Sequence, residues 1–173
     1  MARLPVPMSN EALSAAHTFI LERERAQLLD EGYKFDVVEA VIAEQGDNPA
    51  HAKIAVRQLN DVVQHEDWPT TLAAYARCAR IVRGQGSGVE GQTEDREPAT
   101  VALKQAVDGL SQPPDIQSLI SNLQSLTGPI NVFFDKVMVM AEEAGLRAAR
   151  LSLLQRIVSQ ADGIADLSKL EGF

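Results

Sequence analysis

Apolar residues recur along this chain at intervals of three and four, and short polar or Gly- and Pro-containing stretches interrupt them. This spacing is typical of amphipathic helices, and no segment shows the strict alternation of a half-buried strand. The pattern predicts helices over 10–29, 36–45, 49–62, 69–83, 99–110, 115–126, 133–140 and 146–161, with Asp36 as the expected N-cap of the second. The expected fold class is therefore all-α, a bundle of seven to eight helices.

The stretch from Gly84 to Pro98 differs in composition from its surroundings. It holds four Gly, Ser, Thr, Gln and a cluster of acidic residues, with almost no apolar side chain. Such a composition predicts a flexible loop. Neither half of the chain looks suited to closing a core alone. We therefore interpret residues 1–173 as a single domain with a loop at 84–98, with a domain boundary at the loop as the alternative.

Composition narrows the classes of partner. The net charge of -8 argues against binding of DNA or RNA through bulk electrostatics, so any RNA contact requires a local basic patch. Cys78 is the only cysteine, which excludes an internal disulfide and fits the reducing cytoplasm. No apolar run is long enough to cross a membrane, and residues 1–7 lack the apolar core of a signal peptide.

Residues that commonly carry catalysis are scattered. The glycines of the 84–88 stretch lack the Lys-Ser/Thr ending of a phosphate-binding loop and follow a predicted helix rather than a strand. His17, His51 and His65 have no metal-ligand spacing. We expect no catalytic residue, no metal ligand and no cofactor in this chain.

One helix carries a concentrated basic face. At about 100° per residue, the helix 72–83 places Arg77, Arg80 and Arg83 together, opposite a half-wheel of apolar residues. Three guanidinium groups at one-turn intervals can contact successive phosphates or stack on unpaired bases. The alternative is a solvated face paired with nearby acids.

A second pair of arginines points to a structural role. Arg147 and Arg150 fall within the apolar arc of the last predicted helix, where a solvated side chain is unusual. A buried guanidinium needs carboxylate or carbonyl acceptors, and Asp135, Glu142 and Glu143 are the expected partners. Arg147 is also a weaker RNA-contact candidate. Met138 and Met140 are expected to fill the core.

The segment Phe133–Glu143 contains two Met that flank a Val, and it ends in an acidic pair. Two arginines follow within Leu146–Leu151. Together these residues resemble the C-terminal signature of the bacterial glycyl-tRNA synthetase β chain. The resemblance covers most of the chain outside the 84–98 loop. The other matching positions are Phe19, Ile20, Leu21, Arg23, Gly32, Tyr33, Asp36–Val41, Arg57, Leu59, Leu72, Ala74, Arg77, Ile81, Asp166, Ser168 and Leu170. The chain departs from the family's pattern at Ala76, Arg80, Ala144, Gly145 and Ala149. These departures bear on individual RNA contacts rather than on the fold.

The resemblance implies a helical, anticodon-binding-type domain at the C-terminal end of a longer β chain. Its expected partners are tRNA-Gly, the catalytic α chain and the rest of the β chain, and the parent enzyme would use ATP and Mg²⁺. Two alternatives stay open. The first is a structural helical module that makes protein contacts within the synthetase, and the second is the related domain of an arginyl-tRNA synthetase.

Overall fold

A computed structural model describes residues 9–84 and 94–173. Within these ranges the chain forms seven α-helices, two short 3₁₀ turns and no strand, which confirms the predicted all-α class. The helices are α1 Asn10–Asp30, α2 Phe35–Gln45, α3 Pro49–Val62, α4 Trp68–Arg83, α5 Pro98–Asp108, α6 Ile116–Lys136 and α7 Ala144–Val158. Residues 1–8 and 85–93, which include most of the predicted flexible loop, lie outside the described residues.

Side-chain caps fix several helix starts. Ser9 accepts a hydrogen bond from the Ala12 N–H at 3.2 Å, and Asp115 accepts one from the Ser118 N–H at 2.8 Å. The prediction that Asp36 caps α2 is wrong, because the helix already begins at Phe35. The Asp36 carboxylate instead accepts from the distant Glu171 N–H at 2.8 Å. Asp36 therefore holds the last segment of the chain rather than the start of its own helix.

Helix α6 continues through Gly128 and Pro129, where the sequence predicts a break. A proline ring clashes with the Cβ of a helical residue before it, and Gly128 has no Cβ. Apolar positions also stay in phase across the proline, since Leu126, Ile130 and Phe133 are all fully buried. Core packing on both sides therefore keeps a single helix of 21 residues.

The predicted helix over 133–140 is also wrong. Phe133 belongs to α6, which ends at Lys136, and the following residues to Glu143 are not helical. In this segment Val137 and Val139 are buried, whereas Met138 and Met140 are exposed. The two methionines thus do not fill the core as expected. The alternation places two β-branched side chains inside and leaves backbone carbonyls free to accept hydrogen bonds.

The core lies where α4 packs against α6 and α7, and α5 and α6 extend it on one side. Helices α2 and α3 form the other side. Residues 162–173 fold back across α2, with the Asp166 N–H donating to the Ala40 carbonyl at 2.8 Å and Gln45 donating to the Ile164 carbonyl at 2.7 Å. No helix in the described ranges is long and apolar enough to cross a membrane.

Helix α1 packs mainly on α2, and it buries a carboxylate that has no partner. Glu24 is 9% exposed, and neither of its carboxylate oxygens has a hydrogen-bond partner among the described residues. Burial raises the pKa of Glu24 above its ordinary value. An unsatisfied buried charge lowers stability, so this position works against the fold in the isolated chain.

Replacing Glu24 with Leu should therefore raise the free energy of unfolding by about 1 kcal/mol at neutral pH in dilute solution. Because the folded pKa is raised, the penalty in the parent chain disappears as pH falls through the raised value toward the ordinary glutamate pKa. The gain should shrink over the same interval. Urea unfolding at neutral and acid pH measures both effects, with the exposed Glu22→Leu as control. An equal gain from both substitutions would contradict this account.

Candidate nucleic-acid interface

Helix α4 presents a row of three arginines on its exposed side. Arg77, Arg80 and Arg83 are exposed, while the opposite side of the helix is buried against α6 and α7. This is the geometry that the helical spacing predicts. We call these three residues the arginine ridge.

Aromatic rings support the ridge from below. The Arg77 guanidinium carbon lies 4.3 Å from the centre of the Phe134 ring. The corresponding distances from Arg80 and Arg83 to the Phe173 ring are 5.4 Å and 5.3 Å. These are cation–π distances. The rings therefore restrict the positions of all three guanidinium groups while leaving them exposed.

Few carboxylates compete for these cations. Arg83 approaches Asp166 at 3.9 Å, but their side chains are 60% and 30% exposed, so the pair contributes little. Within the described residues, Arg77 and Arg80 have no carboxylate within 4 Å. The ridge is thus a local basic surface on an acidic chain.

The buried side of α4 holds the ridge rigidly. Tyr75 donates from its hydroxyl to the Val158 carbonyl at 3.2 Å, and its ring packs 6.3 Å from that of Phe173. Burial raises the pKa of the Tyr75 hydroxyl above its ordinary value. Burial also raises the pKa of the Cys78 thiol to about 12, so this cysteine stays protonated and unreactive at neutral pH.

Arg150 is buried and paired, but its carboxylate partner is Asp95 rather than Asp135, Glu142 or Glu143. Its Nε donates to Asp95 Oδ2 at 2.6 Å and its Nη1 donates to the Met138 carbonyl at 2.7 Å. The Arg150 and Asp95 side chains are 11% and 6% exposed. The three predicted partners are exposed instead.

Arg147 also makes a local contact. Its Nη1 donates to the Ala141 carbonyl at 2.8 Å, and the side chain is half-buried. The two arginines of α7 thus bind the carbonyls of the non-helical segment after α6. The Arg147 side chain is thus held by its own chain, and its contact with RNA stays a prediction.

Asp95 is built into a hydrogen-bond network. Burial alone would raise the pKa of its carboxyl, but hydrogen bonds from Arg150, the Glu97 N–H and the Thr100 hydroxyl outweigh burial and lower it. The carboxylate therefore stays charged and joins the start of α5 to α7. Residues 94–97, predicted as part of the flexible loop, are fixed by this network.

Sequence reasoning missed Asp95, Phe134 and Phe173. Asp95 stands among several acids in a stretch without periodicity, so no pattern singles it out. Phe134 and Phe173 reach the ridge from other elements, and helical spacing within α4 carries no information about them. In the ranges that the structure covers, no group of three or more His, Cys, Asp or Glu residues is arranged to hold a metal ion.

Comparison with known proteins gives relatives along nearly the whole chain. A glycine–tRNA ligase beta subunit from Acinetobacter baumannii (strain AYE) is 36% identical over 166 residues, which is 91% of this chain and 24% of that protein. One from Rhodospirillum centenum is 33% identical over 171 residues, or 90% and 24% of the two chains. A glycine–tRNA ligase, chloroplastic/mitochondrial 2, from Arabidopsis thaliana is 31% identical over 98% of this chain and 16% of its own length.

The chain therefore spans about a sixth to a quarter of the length of these relatives. No protein-family model matches it.

The contribution of the Asp95–Arg150 ion pair to stability can be tested by substitution of either residue. Arg150→Met leaves a buried carboxylate without its cation and should lower the free energy of unfolding by about 3 kcal/mol at neutral pH. Asp95→Asn should also destabilise. Because the folded pKa of Asp95 is lowered, its contribution is present above the ordinary aspartate pKa and is lost as pH falls through the lowered value.

Urea unfolding across acid pH should thus show the Asp95→Asn variant converging with the parent chain. Arg96→Gln, which breaks an exposed pair with Glu94, serves as the matched control and should change stability little. A similar loss in the Arg96 and Arg150 variants would show that the buried contact has no special role.

Proposed function

Since this chain is homologous over nine-tenths of its length to a segment of glycine–tRNA ligase beta subunits, we propose that it is the tRNA-binding domain of such a ligase. It holds tRNA-Gly so that the acceptor end reaches the active site of a catalytic alpha chain. Its other partner is the rest of the beta chain. It works in the cytoplasm, whose reducing conditions suit a chain with a single, buried and unpaired cysteine.

The arginine ridge is the observation that carries this proposal. Consecutive ridge residues are three positions apart, so their guanidinium groups advance about 4.5 Å along the helix axis at each step. Exposed arginines in a row suit the phosphates of a single strand, and their planar groups can also stack on unpaired bases. The net charge of -8 confines such binding to this local surface.

The contribution of this chain to catalysis is orientation. ATP and Mg²⁺ act in the parent enzyme, at a site that we assign to the catalytic alpha chain. Correct placement of a reacting group removes part of the entropic barrier of a reaction between two molecules. A domain that binds tRNA at a distance supplies that placement without touching the reacting atoms.

A structural module is the second candidate. The net charge of -8 favours a domain that packs against the alpha chain or the rest of the beta chain and leaves RNA to other parts. The related domain of an arginyl-tRNA synthetase is a weaker alternative, because the relatives named above are glycine–tRNA ligases.

Replacing Arg77, Arg80 and Arg83 together with Ala should weaken binding of tRNA-Gly. Each lost phosphate contact should lower the slope of log affinity against log salt by about one unit. Binding is measured by filter retention or fluorescence over a salt series. Far-ultraviolet circular dichroism checks that the variant folds.

The matched control replaces three exposed arginines on other elements, Arg23, Arg57 and Arg96, so that the net charge changes equally. This control should keep the parent's salt slope. If the two triple variants lose the same number of contacts, general charge rather than the ridge governs binding. If parent and ridge variant bind alike, the ridge proposal is wrong and the structural module is favoured.

The two rings offer a test that leaves every charge in place. Phe134→Leu and Phe173→Leu remove the stacking surface beneath the guanidinium groups. Each should weaken tRNA binding about threefold, the size of an exposed cation–π contact, without changing the salt slope. Exposed Phe19→Leu on α1 is the control. A reduced salt slope in the ring variants would mean that phosphate contacts, rather than stacking, had been lost.

A further inference from the structure

A turn at residues 170–173 carries the Phe173 ring to the arginine ridge. The Phe173 N–H donates to the carbonyl three positions earlier at 3.2 Å, and Gly172 has a φ of 92°. A hydrogen bond across four residues, with a positive φ at the third, is the geometry of a type II turn. The turn sets the direction of the Phe173 side chain, whose ring lies 5.4 Å and 5.3 Å from the guanidinium carbons of Arg80 and Arg83.

Packing alone does not fix this turn. Leu170 anchors its first position in the core at 4% exposed, but Glu171 and Gly172 are exposed. The turn also borders a cavity of about 260 Å³, which Trp68 lines from the other side. A segment with few buried contacts is mobile unless hydrogen bonds restrain it. Hydrogen bonds must therefore supply the remaining order of the turn.

Asp36 provides the hydrogen bond that restrains the turn from outside. Its Oδ2 accepts from the Glu171 N–H at 2.8 Å. This N–H belongs to the second residue of the turn, where the turn itself offers no acceptor. Among the described residues, no other group outside 167–173 is hydrogen-bonded to the turn. Asp36 stands on α2, which the fully buried Val37 and Val38 hold in the core.

We propose that Asp36 is a positioning residue for RNA binding. It holds the turn 170–173, the turn places the Phe173 ring, and the ring restricts Arg80 and Arg83 to the positions in which they bind tRNA. Asp36 acts through the ring rather than on the RNA. The inference rests on the proposed function of the arginine ridge, and it adds a residue of α2 to a surface whose charges lie on α4.

Glu44 offers a matched comparison on the same helix. Its Oε2 accepts from the Gly163 N–H at 2.9 Å, so it also binds residues 162–173 through a carboxylate. Its contact lies at the start of this segment, whereas the Asp36 contact lies next to Phe173. Loss of either carboxylate removes one negative charge and one hydrogen bond to the segment. Only the loss of Asp36 should displace the ring.

The placement of the ring can be measured without RNA. In NMR spectra of the whole chain, side-chain protons of Arg80 and Arg83 near the Phe173 ring should show upfield ring-current shifts, and Phe173→Leu defines the spectrum without them. Asp36→Ala should lose these shifts. Asp36→Asn should keep them, because its amide oxygen still accepts the hydrogen bond, and Glu44→Ala should keep them as well. Thermal melts check that each variant folds.

Glu171→Pro removes the same hydrogen bond from its donor side. Proline has no N–H, and it is favoured at the second position of a type II turn. Leu170 is extended, with φ -73° and ψ 143°, as a residue before proline should be. The variant therefore keeps the shape of the turn, leaves α2 unchanged and should still lose the shifts of Arg80 and Arg83. It decides the question if Asp36→Ala fails to fold.

Binding of tRNA-Gly tests the consequence for RNA. Asp36→Ala should weaken binding about threefold, as Phe173→Leu does. The two substitutions together should also weaken it about threefold, rather than about ninefold, because both remove the same support. Glu44→Ala reports the effect of the lost negative charge alone, and Asp36→Asn should match it.

Three results would overturn the proposal: shifts retained in Asp36→Ala or Glu171→Pro, shifts lost equally in Glu44→Ala, or additive effects of Asp36→Ala and Phe173→Leu on binding. If Asp36→Ala binds tRNA as tightly as Glu44→Ala while the ridge variant binds weakly, this inference fails and the proposed function stands. If the ridge variant binds like the parent chain, the proposed function fails, and the role of Asp36 in RNA binding fails with it.

Discussion

The buried guanidinium of Arg150 is the contact on which the arrangement of three segments depends. It binds Asp95 before α5 and the carbonyl of Met138 after α6, and it does so from within α7. A buried ion pair lowers stability unless its remaining hydrogen-bonding groups are satisfied. Here the Thr100 hydroxyl and the Glu97 N–H also donate hydrogen bonds to the Asp95 carboxylate. The ion pair therefore fixes the path of the chain with little loss of stability.

The arginine ridge depends indirectly on the contacts of Arg150. Phe134 lies near the end of α6, just before the segment that Arg150 holds, and its ring supports Arg77. Phe173 supports the other two arginines from the last segment of the chain. The exposed basic surface is therefore assembled from three elements, although its charges all come from α4. Such preorganisation lowers the entropy lost when a flexible cation is fixed on a ligand.

Helical periodicity was sufficient for the all-α class, for the exposed face of α4 and for the burial of Arg150, because each follows from spacing within one helix. Helical periodicity failed where contacts between different elements determine the structure. Pro129 remained inside α6 because the core stripe continues past it. The Asp36 carboxylate accepts a hydrogen bond from the Glu171 N–H instead of capping α2. Arg150 pairs with Asp95 rather than with an acidic residue closer to it in sequence. The methionines stayed outside because the valines beside them fill the core.

The return of residues 162–173 to α2 has a consequence for the order of folding. Ala40 and Glu44 accept hydrogen bonds, and Gln45 donates one, and each partner lies more than a hundred positions later in the chain. Contacts of such long separation slow folding, because a large loop must close before they form. During synthesis, α2 cannot complete its packing until residues 162–173 have left the ribosome. Helix α2 therefore folds as a unit with residues 162–173.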